Sequence, residues 1–308
     1  MSRAPPSYGP QMKPVFVAVL LAFGVLAGAA TSAFAGGPIL VELYTSQGCS
    51  SCPPADALLA KLTQHKELIA LSLPITYWDM LGWKDTLASE ANTRRQKAYA
   101  AAMGRGGVYT PQIIVGGEKD VVGSREDDVE AAIDAAAEAR DDASEAIADA
   151  HDSLQDISTG DLPAGMTALG PLRGKPAAPV EKLSKLSWSV GIDLTRTPQS
   201  LRLAIAAAPD VVSKNKLNAT IWMFRLRSAV TVHIGAGENS GRTWTYRNVV
   251  SDIKDLGRWN GRAVSLELPP AGSKAPPHDG VVVVLQQGGY GRVLGAAYLG
   301  HAEYYAQQ

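Results

Sequence analysis

The chain has 308 residues, a formal net charge of −1, 46% hydrophobic and 19% charged residues. That balance excludes a globally disordered chain, and without a basic block interleaved with aromatics nucleic acid is excluded as a partner class. The length accommodates two modest domains, and two cysteines alone exclude a disulfide-dense scaffold.

Lys13 precedes an apolar run from Val15 to about Ala30, and Ala33-Phe34-Ala35 has the small-x-small form of a cleavage site. Residues 1–35 therefore read as a secretory signal peptide, with Met12-Lys13 a more usual start than Met1. The alternative is an uncleaved anchor, but the run is shorter than the ~20 residues that a spanning helix needs. The expectation is a periplasmic or secreted protein with no membrane span after cleavage.

Ile39 to Tyr44 is a strand candidate, apolar on both faces except at Glu42, and it ends in Ser46-Gln47-Gly48. Pro53 to about His65 has helical spacing through Ala55, Leu58, Leu59 and Leu62, and Leu68 to Ile75 is a second strand. Lys84 to about Met103 reads as a helix stopped by Gly104-Arg105-Gly106-Gly107. Ile113 to Val115, Gly116-Gly117 and Asp120 to Val122 form a hairpin, and Arg125 to about His151 is an acidic, Ala-rich helix. The order is βαβαββα, with right-handed crossovers forcing parallel pairing of the first strands.

From 153 to 182 the composition turns to Gly, Pro, Ala and Ser, which reads as a linker. Beyond it the period changes to two. Leu186–Ile192, Leu201–Ala206, Thr220–Leu226, Val230–Ile234, Thr243–Val250, Val264–Leu268, Val281–Gln286 and Val293–Tyr298 are short strands. Their spacing predicts an all-β, sandwich-like domain over 183–308, behind an α/β domain over 36–152.

The chemistry sits at Cys49-Ser50-Ser51-Cys52. As a staple this pair is badly placed, because the chain-entropy model gives about 2 kcal/mol for so short a loop and about 4.7 for one of a hundred residues. As a reversible dithiol it is well placed, since a helix N-terminus stabilises a thiolate. Cys49 is the nucleophile candidate and Cys52 the resolving thiol. Two features cut against this: Pro53 makes Cys52 the cap residue, and Asp56 brings negative charge into the first turn. The direction of electron flow stays open. The pair could also hold Cu(I), although no His or Met lies close by; zinc would need two more ligands. No cofactor or resident metal is expected.

This strand–helix order, with Cys-x-x-Cys at the first junction, resembles a minimal thioredoxin fold over roughly residues 37–150. The resemblance implies that Glu42 is a buried acid passing a proton to Cys52, and that Pro111, after Thr110, is a cis-proline facing the dithiol. Thr110 would then pair with an extended peptide. The alternatives are a Glu42 at a sheet edge facing water and a trans Pro111. Trp78 and Trp83 either line a peptide groove or pack a helix onto the sheet; Arg94 and Arg95 read as a solvated face. The segments Glu42 to Asp56, Tyr77 to Asp85, Tyr109 to Gln112, Gly237 to Arg242 and Tyr246 to Val250 together resemble a family of secreted bacterial proteins of unknown function with an N-terminal thioredoxin-like domain.

The expected function is an exported thiol–disulfide oxidoreductase acting on exported proteins or a redox partner. Its site residues are Cys49, Cys52 and Glu42, with Thr110, Pro111 and Trp78 on the substrate side. The alternatives are an envelope binding or structural protein with an inert disulfide, and a Cu(I) metallochaperone. Glu238, Asn239 and Arg242 in the Gly235–Gly241 loop are candidates for a polar ligand, although a plain hairpin loop accounts for them too.

Overall fold

The computed structural model describes residues 37–159, 189–197, 200–209, 217–268 and 278–300. The expected signal segment and most of the expected linker lie outside these residues. No described helix is long and apolar enough to cross a membrane.

Strand β1 (Ile39–Thr45) is buried along its whole length. Pro53 and Pro54 open α1 (Pro53–Leu62), the turn of a helix where a missing N–H costs nothing. β2 (Leu68–Pro74) returns parallel to β1. A 3-10 turn at Asp79–Leu81 follows, then α2 (Glu90–Ala102), capped by the Ser89 side chain accepting from Asn92 N–H. α2 starts later than the expected Lys84, because the Asp85 carboxylate takes the N–H groups of Leu87 and Ala88 and holds them in a loop. β3 (Gln112–Val115) lies antiparallel to β1, β4 (Lys119–Val122) completes the hairpin, and α3 (Glu126–Thr159) runs on into the stretch read as linker.

The later strands are β5 (Ile192–Arg196), β6 (Leu201–Ile205), β7 (Ala219–His233), β8 (Thr243–Trp259), β9 (Val264–Leu268), β10 (Gly280–Gln287) and β11 (Val293–Leu299). β7 replaces two expected strands. Ser228 in its middle looks like a turn residue, but Asp279 accepts from both its N–H and its hydroxyl. β8 runs nine residues past the expected end at Val250, through polar residues held by the Arg225–Asp252 ion pair. Of the strand expected over Leu186–Ile192, residues 186–188 lie outside the described residues, and residues 189–191 are not in a strand; β5 begins where it was expected to end.

The largest departure concerns the sandwich. Strands of both halves share one eight-stranded sheet, in the order β11-β10-β7-β8-β2-β1-β3-β4, and β5-β6-β9 form a separate small sheet. The fold is thus a mixed α/β sheet continued by a large antiparallel one, not a free-standing sandwich behind a linker. The halves meet where Ser72 of β2 pairs with Val249 of β8. Beside that bridge Asn248 adopts φ +45° and donates to Ala70 O at 3.0 Å. Asn tolerates this left-handed region better than most side chains.

Three apolar layers hold the sheet. Val41 and Leu43 pack against Leu58 and Leu59 of α1 and Val129 of α3. On the opposite face Leu40 and Tyr44 pack with Tyr99 of α2, in a core that continues into Phe224, Val282 and Val284. The small sheet covers the far end through Leu203 and Ile205, against Ile221, Met223 and Val283.

Candidate functional site

The loop from β1 to α1 presents Cys49 and Cys52 joined as a disulfide, with their Cα atoms 5.4 Å apart. Cys49 N–H donates to Ser46 O and Cys52 N–H to Cys49 O. Cys52 is the cap residue, and its carbonyl accepts from Ala55 and Asp56. Ser51 Oγ lies 3.4 Å from Cys49 Sγ. The nucleophile candidate Cys49 is buried, 1% exposed, and Cys52 0%, while Ser50 and Ser51 face solvent.

The physical reason is a clamp from the β-rich half. Buried Asn239, in the loop joining β7 to β8, donates through Nδ2 to Gln47 O at 3.0 Å and Cys49 O at 2.8 Å. Next to it the Glu238 carboxylate accepts from Ser50 N–H at 3.0 Å. Trp83 donates to Gln47 Oε1 and fills the space under the same loop. A Cβ on Gly235 would come within 3.0 Å of the Trp83 ring, and Gly237 holds φ +77°, so the glycines let this loop lie against Trp83. The resemblance takes in the Gly237–Arg242 motif, which the sequence most simply explains as a hairpin loop. Asn239→Ala should cost about 1–3 kcal/mol in urea unfolding, because two carbonyls lose their buried donor.

Thr110–Pro111 is a cis peptide bond, and Pro111 is buried at the start of β3. Half-buried Trp78 donates from Nε1 to Thr110 Oγ1 at 2.8 Å, and a Cβ on Gly48 would meet Trp78 at 3.4 Å. Trp78 therefore links the dithiol loop to Thr110. Beside it Met80 and Leu81 are 85% and 46% exposed.

Glu42 is buried on a central strand, so the edge alternative is excluded. It shares the face of Leu40 and Tyr44, whereas α1, which carries the dithiol, packs on the face of Val41 and Leu43. Its carboxylate meets Arg95 Nε at 2.6 Å and the Tyr99 hydroxyl at 2.5 Å. Arg95 is not on a solvated face: it is 2% exposed, while Arg94 alone points outward. Glu42 is therefore committed to Arg95 on the face away from the dithiol helix.

A different acid lies near Cys52. Asp56, one helical turn along α1, is buried, and its Oδ1 has no hydrogen-bond partner. Burial, and then the Asp85 charge, push its carboxyl well above the usual range. Burial thus opposes the first-turn negative charge expected from the sequence. Asp85 accepts from Gln47, Leu87 and Ala88, yet burial still raises it to about 6. Tyr246 closes this pocket of acids; burial and both carboxylates push its phenol up. Among the described residues no three His, Cys, Asp or Glu side chains gather to hold a metal. A cleft of about 710 Å³ between the α3 alanines and β3–β4 shares no lining residue with the dithiol loop.

The family model described as "Protein of unknown function (DUF1223)" matches residues 40–164 and 175–286. The chain belongs to this family. The match takes in both the dithiol loop and the Asn239 loop that clamps it. A crystal structure of an Agrobacterium tumefaciens protein is similar at 26% identity and a TM-score of 0.61, over 85% of this chain and 94% of that one. HBP35 of Porphyromonas gingivalis overlaps 86% of this chain and 75% of its own at 12% identity and a TM-score of 0.43, too loosely to bear on the fold. No curated protein matches.

Proposed function

We propose that the protein is an exported thiol–disulfide oxidoreductase built on a thioredoxin-like first half. The fold reading is supported by β1 and β2 running parallel, β3 and β4 following antiparallel, and α1 and α3 on one face with α2 on the other. The observation that carries the chemistry is the Cys49–Cys52 disulfide at the start of α1, with Trp78 bridging its loop to Thr110 and cis-Pro111.

In the reducing direction the Cys49 thiolate attacks a partner disulfide, forming a mixed disulfide and expelling one partner thiolate. Cys52 then passes its proton to a carboxylate, attacks the Cys49 sulfur and expels the second partner thiolate. Two electrons reach the partner, and the Cys49–Cys52 bond is restored. We assign the proton acceptor to Asp56 in place of Glu42. Cys52 and Asp56 stand at i and i+4 on one helix face, and a carboxylate with raised proton affinity is a better base toward a thiol.

The test is a Cys52→Ala variant of the whole chain, exported in cells and analysed by mass spectrometry under non-reducing conditions. Mixed disulfides on Cys49 with exported proteins are the expected result; their complete absence would refute the proposal. A second reading is an envelope binding or structural protein with a permanent disulfide. The buried sulfurs and the Asn239 clamp favour it, and it gains if no adduct forms.

A further inference from the structure

We propose that the Cys49–Cys52 couple is poised as a reductant, its disulfide being the favoured form, so that electrons leave the dithiol for less stable disulfides in exported partners. The inference deepens the redox reading above and rests on it.

A couple becomes oxidising when its reduced form, and above all its thiolate, is stabilised. Among the described residues, the backbone donors flanking this pair, Ser51 N–H apart, are otherwise occupied or missing. Cys49 N–H goes to Ser46 O, Ser50 N–H to Glu238, and Cys52 N–H to Cys49 O. Pro53 and Pro54 have no N–H, and those of Ala55 and Asp56 go to Cys52 O. The cap residue Cys52 accordingly receives no side-chain capping bond. The donors left for a thiolate come from Ser51 alone, whose hydroxyl sits 3.4 Å from Cys49 Sγ.

Three further features act the same way. Both sulfurs are buried, which disfavours an ion. The Glu238 carboxylate lies against the peptide that follows Cys49 and repels a second negative charge. Asn239 pins the Cys49 carbonyl, holding the loop in the geometry of the closed disulfide. The net reaction is dithiol plus partner disulfide giving the Cys49–Cys52 disulfide plus two partner thiols. A second dithiol must then reduce the pair again, itself becoming a disulfide, so the protein stands downstream of a dithiol donor.

The experiment equilibrates the full chain at pH 7 in glutathione buffers and in dithiothreitol buffers, alkylates free thiols and reads the mass. The pair should stay oxidised in glutathione and reach half-reduction only against dithiothreitol. Exposed Pro54→Ala returns one N–H to the cap and should shift the equilibrium toward the dithiol about 3- to 10-fold. Glu238→Gln should shift it the same way by about 2- to 5-fold, and Ser51→Ala the opposite way. Half-reduction of the native chain in glutathione, or shifts of the wrong sign in the variants, would overturn the inference. If the native pair is half-reduced in glutathione while Cys52→Ala still traps partners, the direction is wrong and the oxidoreductase reading stands. A reducing couple with no trapped partner leaves the donor argument intact and removes the enzyme.

Discussion

Arg95→Met should destabilise the protein by about 3–5 kcal/mol in urea unfolding at pH 7, because it leaves the Glu42 carboxylate buried without its counter-charge. The guanidinium is bound through Nε to Glu42 Oε1 at 2.6 Å and through Nη2 to Glu42 Oε2 at 3.1 Å, Tyr99 at 3.1 Å and Gln286 at 3.0 Å. Rings of Tyr99, Trp222, Phe224 and Tyr290 surround it with centroids 4.9–5.7 Å away. Burial works hardest against the charge, and Glu42, Tyr99 and Tyr44 together outweigh it. The pair itself need not be worth that much. A Glu42→Leu, Arg95→Met double variant, apolar on both sides, should recover most of the loss, since the large cost belongs to the orphaned ion. Equal losses in the single and double variants would contradict this account. Gln286 lies on β10, so the network ties α2 to the β-rich half. Both halves should therefore unfold in one transition, and two separate transitions would show the joint to be weak.

The same residues show where sequence reading stops. Short apolar runs with Gly, Pro or Asn at their ends made β1, β2, β3, β10 and β11 legible, because the pleat's period and the turn chemistry are local. The cap at Pro53 and the helix over Leu58, Leu59 and Leu62 are local too. α2 was located but its buried face was not, since that face is polar: Asn92, Thr93, Arg95, Gln96 and Tyr99. No hydrophobic period marks such a stripe, and each member is buried because a distant partner satisfies it. The shared sheet escaped for a related reason. It depends on one bridge, Ser72 to Val249, whose signal is a single Asn at positive φ. At the site, Cys49, Cys52, Trp78, Thr110 and Pro111 could be named in advance because they lie in short motifs. Asn239, Glu238 and Asp85 act on the dithiol loop across long sequence separations, and only packing reveals that they face it.

Asp56→Asn should make the protein more stable and a poorer oxidoreductase. Asn keeps the shape and removes an ionisation that burial opposes. The sign follows from the direction of the shift. A carboxyl held above its unfolded value of about 3.9 stabilises the fold fully below that pH, and the advantage is lost as pH rises through the folded value. Asp85, at about 6, contributes the same trend between about pH 4 and 6. Stability of the native chain should therefore fall across that range, and Asp56→Asn should exceed it at pH 7 by roughly 1–2 kcal/mol. The chemistry should move the other way. Without a base one turn from Cys52, resolution of a mixed disulfide at Cys49 should slow on the order of 100-fold at pH 7, a typical effect of removing general-base assistance. The deficit should shrink toward alkaline pH, where solvent takes the Cys52 proton unaided. That convergence separates proton handling from mere distortion of α1, which would slow the reaction equally at every pH. An unchanged rate at pH 7 would take the proton role from Asp56, and a loss of stability above pH 6 would mean that its ionised form is bound by something the fold provides.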